Sequence, residues 1–398
     1  MKSQVILLKC DTYDRKKIYE ELCWGIGQLG GIRQFVRPEE KILLKPNLLR
    51  KAEADSAIVT HPLVVSAVGQ IFKEAGCSCL SYGDSAGVGS MEKIAEGCGL
   101  ADEMKRLKIP MADFNESVLI SYPEGKMARQ FHMAKAVQET DALINICKMK
   151  THQLERMTGA VKNMYGCIQG LHKAKGHTKY SNAESFARML VDLNRFIQPR
   201  LYIMDGITAM EGNGPASGTP VHMGVMLVST DPVALDSVCC GLMNLAPELV
   251  PTNVQGEKMG LGVWREEDIE VITRDGRLTT SQVREHFGKI DYDVNRGKEV
   301  RRLWRQIRWL SRHFQRKPYI VESQCIRCGI CVEACPVEGK AIHLNKPAAP
   351  VYDYKNVLPV SVVRKCARKG HSGEIGEKER KVSAKAEERI RPHPNTIK

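Results

Sequence analysis

No stretch of 18 consecutive apolar residues occurs anywhere in the 398-residue chain, which excludes a membrane-spanning helix. The N-terminal "MKSQVILLKCDTYD" holds one lysine and a short apolar run. That run is too short for a secretion signal with a small-residue cleavage site, and it reads as a first strand. No P-loop is present, and no G-x-G-x-x-G stands in a strand–turn–helix context, so neither nucleotide fingerprint applies. The nine cysteines before residue 300, including Cys239 and Cys240, lack the regular spacing of a disulfide framework. Free buried thiols are expected there, since cysteine packs as a small hydrophobe. A reducing, cytoplasmic compartment follows as an expectation.

Charge is unevenly spread. The net charge is +13. Residues 356–398 carry eleven Lys/Arg against five Asp/Glu, and residues 296–317 carry nine against one, so these two segments account for +6 and +8. The remainder is close to neutral, and the overall basicity gives no case for a nucleic-acid-binding body.

What is there is an alternation. "VILLK", "KILLKPN", "CLSYGD", "ALINICKMK", "RLYIMDG" and "VMLVSTD" are short apolar runs. Between them lie amphipathic patterns such as "PLVVSAVGQIFKEAG" and "ESFARMLVDLNRFI". The expected fold of residues 1–295 is an α/β body, a mostly parallel sheet with flanking helices. Ligands in such sheets sit beyond the carboxyl ends of the strands, so "KPN", "GDS", "KMKTH", "MDG" and "STDP" are expected to face one crevice. Residues 296–318 form a basic amphipathic pattern, with Leu303, Ile307, Leu310 and Phe314 at helical spacing and Pro318 as its stop. A linker helix packed on the body is the simplest reading. A peripheral contact with an anionic membrane surface, or with nucleic acid, stays open. Residues 319–355 contain the cysteine module, and the charged, aperiodic segment 356–398 is expected to be a disordered tail.

"QCIRCGICVEACP" is the strongest motif. Cys325, Cys328, Cys331 and Cys335 follow C-x2-C-x2-C-x3-C-P, the spacing of a ferredoxin-type 4Fe-4S site. In two-cluster ferredoxins three of these thiolates bind one cluster and the fourth binds the other, so Cys335 is expected to point away from the first three. Zinc is the alternative metal for four cysteines, although its ligand pairs are usually separated by a longer insert.

Within the body, "KMKTHQLERMTGAVKN" is the densest polar constellation. Lys148 and Lys150 alternate on a strand end and so face one side. With His152, Thr158, Lys162 and Asn163 they suit a small anionic ligand, and His152, Lys150 and Lys148 are the candidate catalytic groups. Lys45 and Asn47 end another strand, and His61 precedes a helix whose first residue is Pro62. Asp84, Ser85, Asp205 and Glu211 complete the candidate ligand-binding set, while Asp231 before Pro232 reads as a helix N-cap. Lys45, Asp84, Lys148, Lys150, His152 and Lys162 are expected to line one crevice. A divalent cation held by the acidic residues with His61 and His152 is the weaker alternative.

Six segments in register carry a family resemblance: "KILLKPNLL", "THPLVVSAVGQIFKEAG", "YGDSAG", "INICKMKTHQLERMTGAVKNMYGCIQGLHKAKGH", "IMDGITAMEGNGPASGTP" and "STDPVALDSVCCGLM". Over about residues 1–345 the chain resembles the bacterial and archaeal family named domain of unknown function 362, often fused to a module with two 4Fe-4S clusters. The resemblance implies architecture and cofactor, with no agreed reaction. It also implies a second cysteine run near residue 357, where only Cys366 follows Cys335. Val357, Val360, Val363 and Ala367 stand there at the same steps of 3, 3 and 4 as the first run. A one-base deletion near Lys355 turns split Cys codons into Val or Ala codons, so the spacing is that of a frameshifted second motif. A genuine variant tail that binds a partner is the alternative. Either way the written chain holds an incomplete ligand set for two clusters.

Three functions follow as expectations. The first is an iron–sulfur oxidoreductase or electron-transfer protein with a redox partner protein, its body binding a small anion. The second is a non-enzymatic electron carrier or docking module. The third is a nucleic-acid-associated protein using the basic helix and tail.

Overall fold

The computed structural model describes residues 2–86, 89–297, 325, 327, 332, 342–345, 348 and 350–352. The chain divides into two compact units, Met1–Arg301 and Arg302–Lys398.

The first unit begins with β1 (Ser3–Lys9), α1 (Arg15–Gln28), β2 (Ile42–Pro46), α2 (Pro62–Glu74) and β3 (Leu80–Tyr82). Two short helices follow, α3 (Met91–Gly97) and α4 (Leu100–Arg106), then a separate hairpin, β4 (Ser117–Ser121) and β5 (Gln130–Ala134). After α5 (Lys135–Gln138) come β6 (Ala142–His152), β7 (Arg156–Thr158), α6 (Ala160–Asn163), α7 (Gly170–Lys179) and α8 (Ala183–Ile197). The unit closes with β8 (Leu201–Glu211), β9 (Thr219–Ser229), α9 (Pro232–Leu242), α10 (Pro251–Lys258), β10 (Ile269–Thr273), β11 (Gly276–Leu278) and α11 (Thr280–Phe287).

The main sheet runs β11-β10-β1-β9-β8-β6-β2-β3, with β7 paired to β6. Strands β1, β2, β3, β6, β8 and β10 run in one direction, and β7, β9 and β11 run against them. This is the mostly parallel α/β sheet with flanking helices that the alternation requires. Both faces are covered, so central strands are buried on both sides: β2 is buried at every position. One face carries Ile6, Leu8, Ile42, Leu44, Ile144 and Ile146 against α1, α2, α3 and α4. The other carries Val5, Leu7, Cys147, Met149 and Met204 against α9 and α11, continued by Leu43 and Leu143 against α8.

Helix starts are written locally. Asp14 caps α1 by accepting from Lys17 N, Pro62 opens α2, and Asp231 caps α9 by accepting from Val233 N and Ala234 N. All nine body cysteines are free, and seven are buried.

One expectation about the sheet edge is corrected. β9 is antiparallel to β1, with Ser229 opposite Val5, so "STDP" lies at the amino edge of the parallel strands. There Asp231 caps α9 and accepts from Ser3 Oγ at 2.7 Å. It is not at the carboxyl edge with the other polar strand ends.

Two bulges mark that carboxyl edge. The β6–β8 register shifts between Lys148 and Lys150, and the β8–β9 register shifts between Gly206 and Thr208. Bulges bend a strand and re-aim its side chains, and they recur near functional sites.

In the second unit, β12 (Ile342–His343) pairs antiparallel with β13 (Val351–Tyr352), downstream of the cysteine run. The basic segment from 298 to 318, Cys328, Cys331, Cys335 and the tail 356–398 lie outside the described residues. No helix among the described residues is long and apolar enough to cross a membrane.

Candidate functional site

Two buried ion pairs sit at the carboxyl edge of the sheet. The first is Lys45 Nζ to Asp84 Oδ1 at 2.8 Å, between the ends of β2 and β3. Asp84 also accepts from Leu48 N at 2.7 Å and Ser85 N at 2.9 Å, and Lys45 donates to Pro46 O at 3.0 Å. The pair is closed by the segment after α6. A Cβ on Gly166 would lie 1.9 Å from Asp84 Oδ1 and 2.4 Å from Lys45 Nζ, so only glycine allows this approach. Lys173 on α7 donates to the Ser85 carbonyl. Burial holds its ammonium down at about 8, against the pull of Asp84 and with the help of Lys45 and Lys162.

The second pair is Lys148 Nζ to Asp205 Oδ2 at 2.7 Å, both side chains fully buried. Asp205 accepts as well from Tyr13 OH at 3.0 Å, His61 N at 2.9 Å and Ile207 N at 3.3 Å. Tyr13 OH in turn accepts from Lys148 Nζ at 2.9 Å. The Tyr13 ring stacks on His61, centroids 3.6 Å apart and nearly parallel. Burial lowers the Lys148 ammonium, with Asp205 opposing. Burial, and then Asp205, raises the Tyr13 phenol. His61 Nδ1 accepts from Leu63 N at 3.2 Å, which places the proton of the neutral ring on Nε2. Burial pushes the His61 imidazole down to about 4, so the ring is neutral at pH 7.

Lys150 is different. Its side chain is fully buried, and its amine donates to Asn47 Oδ1 at 2.6 Å and to Ile58 O at 2.8 Å. Both acceptors are neutral. Burial, then neighbouring Lys162 and Lys148, push it well below the ordinary lysine value. Asn47 Nδ2 donates to Asn163 Oδ1 at 3.0 Å, and Asn163 Nδ2 donates to Asn145 Oδ1 at 2.6 Å. Asn145 ends this amide relay on Ala160 O at 2.9 Å. Thr60 pins Asn47 from the other side, accepting from its backbone N–H at 2.9 Å and donating to Ile146 O at 2.8 Å.

The expectation that Lys45, Asp84, Lys148, Lys150, His152 and Lys162 line one crevice gives way to this arrangement. Lys45 and Asn145 are paired in register and lie on the face of Leu43; Lys148 and Asp205 lie on the face of Ile146 and Ile203. The two pairs therefore project from opposite faces of the sheet, because side chains alternate along a strand. They meet beyond the strand ends through Lys150 and the asparagine relay. Lys150 lies within electrostatic range of Asp84, Lys148 and Lys162.

Other expected residues are placed elsewhere. His152 Nδ1 accepts from Leu154 N and Glu155 N, each at 3.1 Å, and so caps the turn between β6 and β7. Glu211, at the far end of β8, accepts from Asp293 N at 3.1 Å and lies 3.9 Å from Lys289. That tie anchors the segment after α11, away from the lysine–aspartate cluster. Ser85 contributes its backbone. No group of three or more His, Cys, Asp or Glu among the described residues could hold a metal ion, so the acidic side chains with His61 and His152 do not assemble a divalent site there.

Sequence reasoning missed Tyr13, Thr60, Asn145, Lys173 and Asp236. Asp236, on α9, accepts from Ala160 N at 2.6 Å and Val161 N at 3.1 Å, holding the start of α6. Burial raises its carboxyl to about 7. A Cβ on Gly159 would lie 2.0 Å from Asp236 Oδ1, and that glycine beside a polar run is the signal that could have found it.

Of the four motif cysteines, Cys325 is described: its thiol is free and half-buried. Thiolates in C-x2-C-x2-C-x3-C-P fit ferredoxin-type 4Fe-4S binding, in which Cys325, Cys328 and Cys331 would hold one cluster and Cys335 would serve a second.

Comparison with known proteins agrees with both parts of the chain. Residues 42–241 match the domain of unknown function (DUF362), and residues 318–339 match a 4Fe-4S binding domain. The chain is 36% identical over 262 residues to "Thylakoid-associated protein sll1697" of Synechocystis sp., covering 66% of this chain and 81% of that one. Among solved structures, the lactate racemase apoprotein from Thermoanaerobacterium thermosaccharolyticum aligns with a TM-score of 0.40 at 11% identity. That alignment covers 60% of this chain and 56% of the other. A Thermotoga maritima protein aligns with a TM-score of 0.33 at 12% identity, covering 58% and 59%.

Proposed function

The chain belongs to the DUF362 family and is an iron–sulfur protein with a ferredoxin-type 4Fe-4S domain; on that premise we propose that its α/β body binds a small anionic ligand at the carboxyl edge of the sheet, in the service of electron transfer. The cluster supplies one-electron chemistry when bound. The body supplies the binding site.

One observation carries this reading. Lys150 is fully buried, yet its hydrogen-bond acceptors are the neutral Asn47 amide and the Ile58 carbonyl. Lys45 and Lys148 each have a buried carboxylate; among the described residues Lys150 hydrogen-bonds to none. Without a carboxylate beside it the buried amine is held toward its neutral form, and a bound carboxylate or phosphate would accept from it and supply the counter-charge of its ammonium form. The edge of a doubly covered α/β sheet is also where such ligands bind.

Anaerobic titration calorimetry of the full chain with acetate, pyruvate and inorganic phosphate tests this. At least one anion should bind saturably, and Lys150→Met should weaken it at least about tenfold, the loss of one charge-assisted contact. Binding unchanged in Lys150→Met, or no binding of any of the three, refutes the reading.

A further inference from the structure

We propose that Lys150 is a covalent site: its amine condenses with the carbonyl carbon of a small 2-oxo acid to form an imine. The inference deepens the anion-binding reading above and rests on it.

Counting donors is the first step. An ammonium has three N–H donors, whereas a neutral amine has two and one lone pair. Lys150 Nζ makes two hydrogen bonds, to Asn47 Oδ1 at 2.6 Å and Ile58 O at 2.8 Å. Those two bonds satisfy a neutral amine in full and leave its lone pair unengaged. The same two bonds would leave an ammonium with a third, buried donor unmet. Full burial and the absence of a bonded carboxylate among the described residues favour the neutral form, and the nearby Lys148 and Lys162 push the same way. A desolvated lysine beside other cations is the recognised route to a nucleophilic amine at neutral pH.

The second step is an orphan. Thr158 on β7 pairs in register with Lys150 on β6, so the two side chains share a face of the hairpin. Thr158 is 3% exposed, and its hydroxyl has no hydrogen-bond partner among the described residues. Buried hydroxyls are ordinarily satisfied, so one left open beside a buried amine marks the place of an absent acceptor. A 2-oxo acid has the two groups this pair requires on adjacent carbons. Its carboxylate accepts from Thr158 Oγ1, and its carbonyl carbon meets Lys150 Nζ. Ile58 belongs to the segment between β2 and α2; both amine hydrogens are spent in the condensation, so its carbonyl and Asn47 Oδ1 both give up their bond to Lys150.

The step balances without a redox partner. The nitrogen lone pair forms the new C–N bond as the carbonyl π pair moves to oxygen. The two amine hydrogens then leave with that oxygen as water, and the C=N bond remains.

The test is reductive trapping. Full chain purified anaerobically is incubated with pyruvate or glyoxylate and sodium cyanoborohydride, then peptide-mapped by mass spectrometry. The expected result is one adduct per chain on Lys150, lost in Lys150→Arg and reduced severalfold in Thr158→Val. Adduct spread over exposed lysines, or none on Lys150 with either acid, overturns the imine. If calorimetry shows anions still binding while Lys150 takes no adduct, the imine fails and the anion site stands. If nothing binds, the reading beneath it fails as well. Mapping the wild-type chain alone reads Lys150 directly, so the outcome does not depend on the variants folding.

Discussion

Removing the Asp205 carboxylate should destabilise the body more than removing the Lys148 ammonium, although the two form one ion pair. In Asp205→Ala, Lys148 Nζ keeps one partner, Tyr13 OH at 2.9 Å, and its charge is stranded in a fully buried position. Tyr13 OH, His61 N and Ile207 N lose their acceptor in the same step. Stranding a buried charge costs ~3–5 kcal/mol. In Lys148→Met the carboxylate keeps those three donors, and the loss is ~1.5–3 kcal/mol, that of one charge-assisted bond. The double variant removes both charges, so it should fall short of the sum of the singles by ~1–3 kcal/mol. Urea unfolding of the full chain, followed by circular dichroism, gives the three midpoints, compared at equal m. Equal costs for the two single variants would refute the donor accounting. An additive double would refute the pairing itself.

Gly166→Ala should disrupt the Lys45–Asp84 pair and lower the unfolding midpoint strongly, because its Cβ would meet Asp84 Oδ1 at 1.9 Å. Gly27→Ala, in α1 with nothing within 4 Å of its Cβ, is the control and should stabilise by up to ~1 kcal/mol; similar effects at both sites would deny the close approach. Asp236 carries a folded-state value of about 7 against an ordinary 3.8. Between those pH values the folded chain holds a proton that the unfolded chain releases, so this group's contribution falls as pH rises from about 4 to 7. His61 acts in the opposite sense, since its value drops from 6.5 to about 4 and its contribution is lost as pH falls through that window. The stability difference between Asp236→Asn and wild type should therefore shift in the variant's favour as pH rises from 4 to 7, and a flat difference curve would contradict the buried carboxyl. Iron per chain should fall well below the roughly eight atoms of a two-cluster module. Restoring one base near Lys355 should bring it up, and an unchanged iron content after restoration would argue for a genuine variant tail.

The alternation of apolar runs and amphipathic stretches determined the α/β class, because strand and helix periods are local properties of the chain. The cysteine module was equally legible, since its motif is a matter of covalent spacing. Asp231 as an N-cap and Pro62 at a helix start are local too, and the structure places both there. The direction of β9 was not local. A run such as "VMLVSTD" reads the same whether its neighbours are parallel or antiparallel, and the pairing with β1 and β8 decided that "STDP" would lie at the amino edge. The faces of Lys45 and Lys148 likewise depend on how β2 and β6 register against each other, which no single strand encodes. Tyr13 reaches Asp205 across 192 positions of sequence, and Asp236 reaches Ala160 across 76. Contacts at that range exist only once the sheet has closed. Polar residues at strand ends announced a polar cluster at the carboxyl edge; long-range packing chose which of them were paired with a charge and, among the described residues, left Lys150 without one.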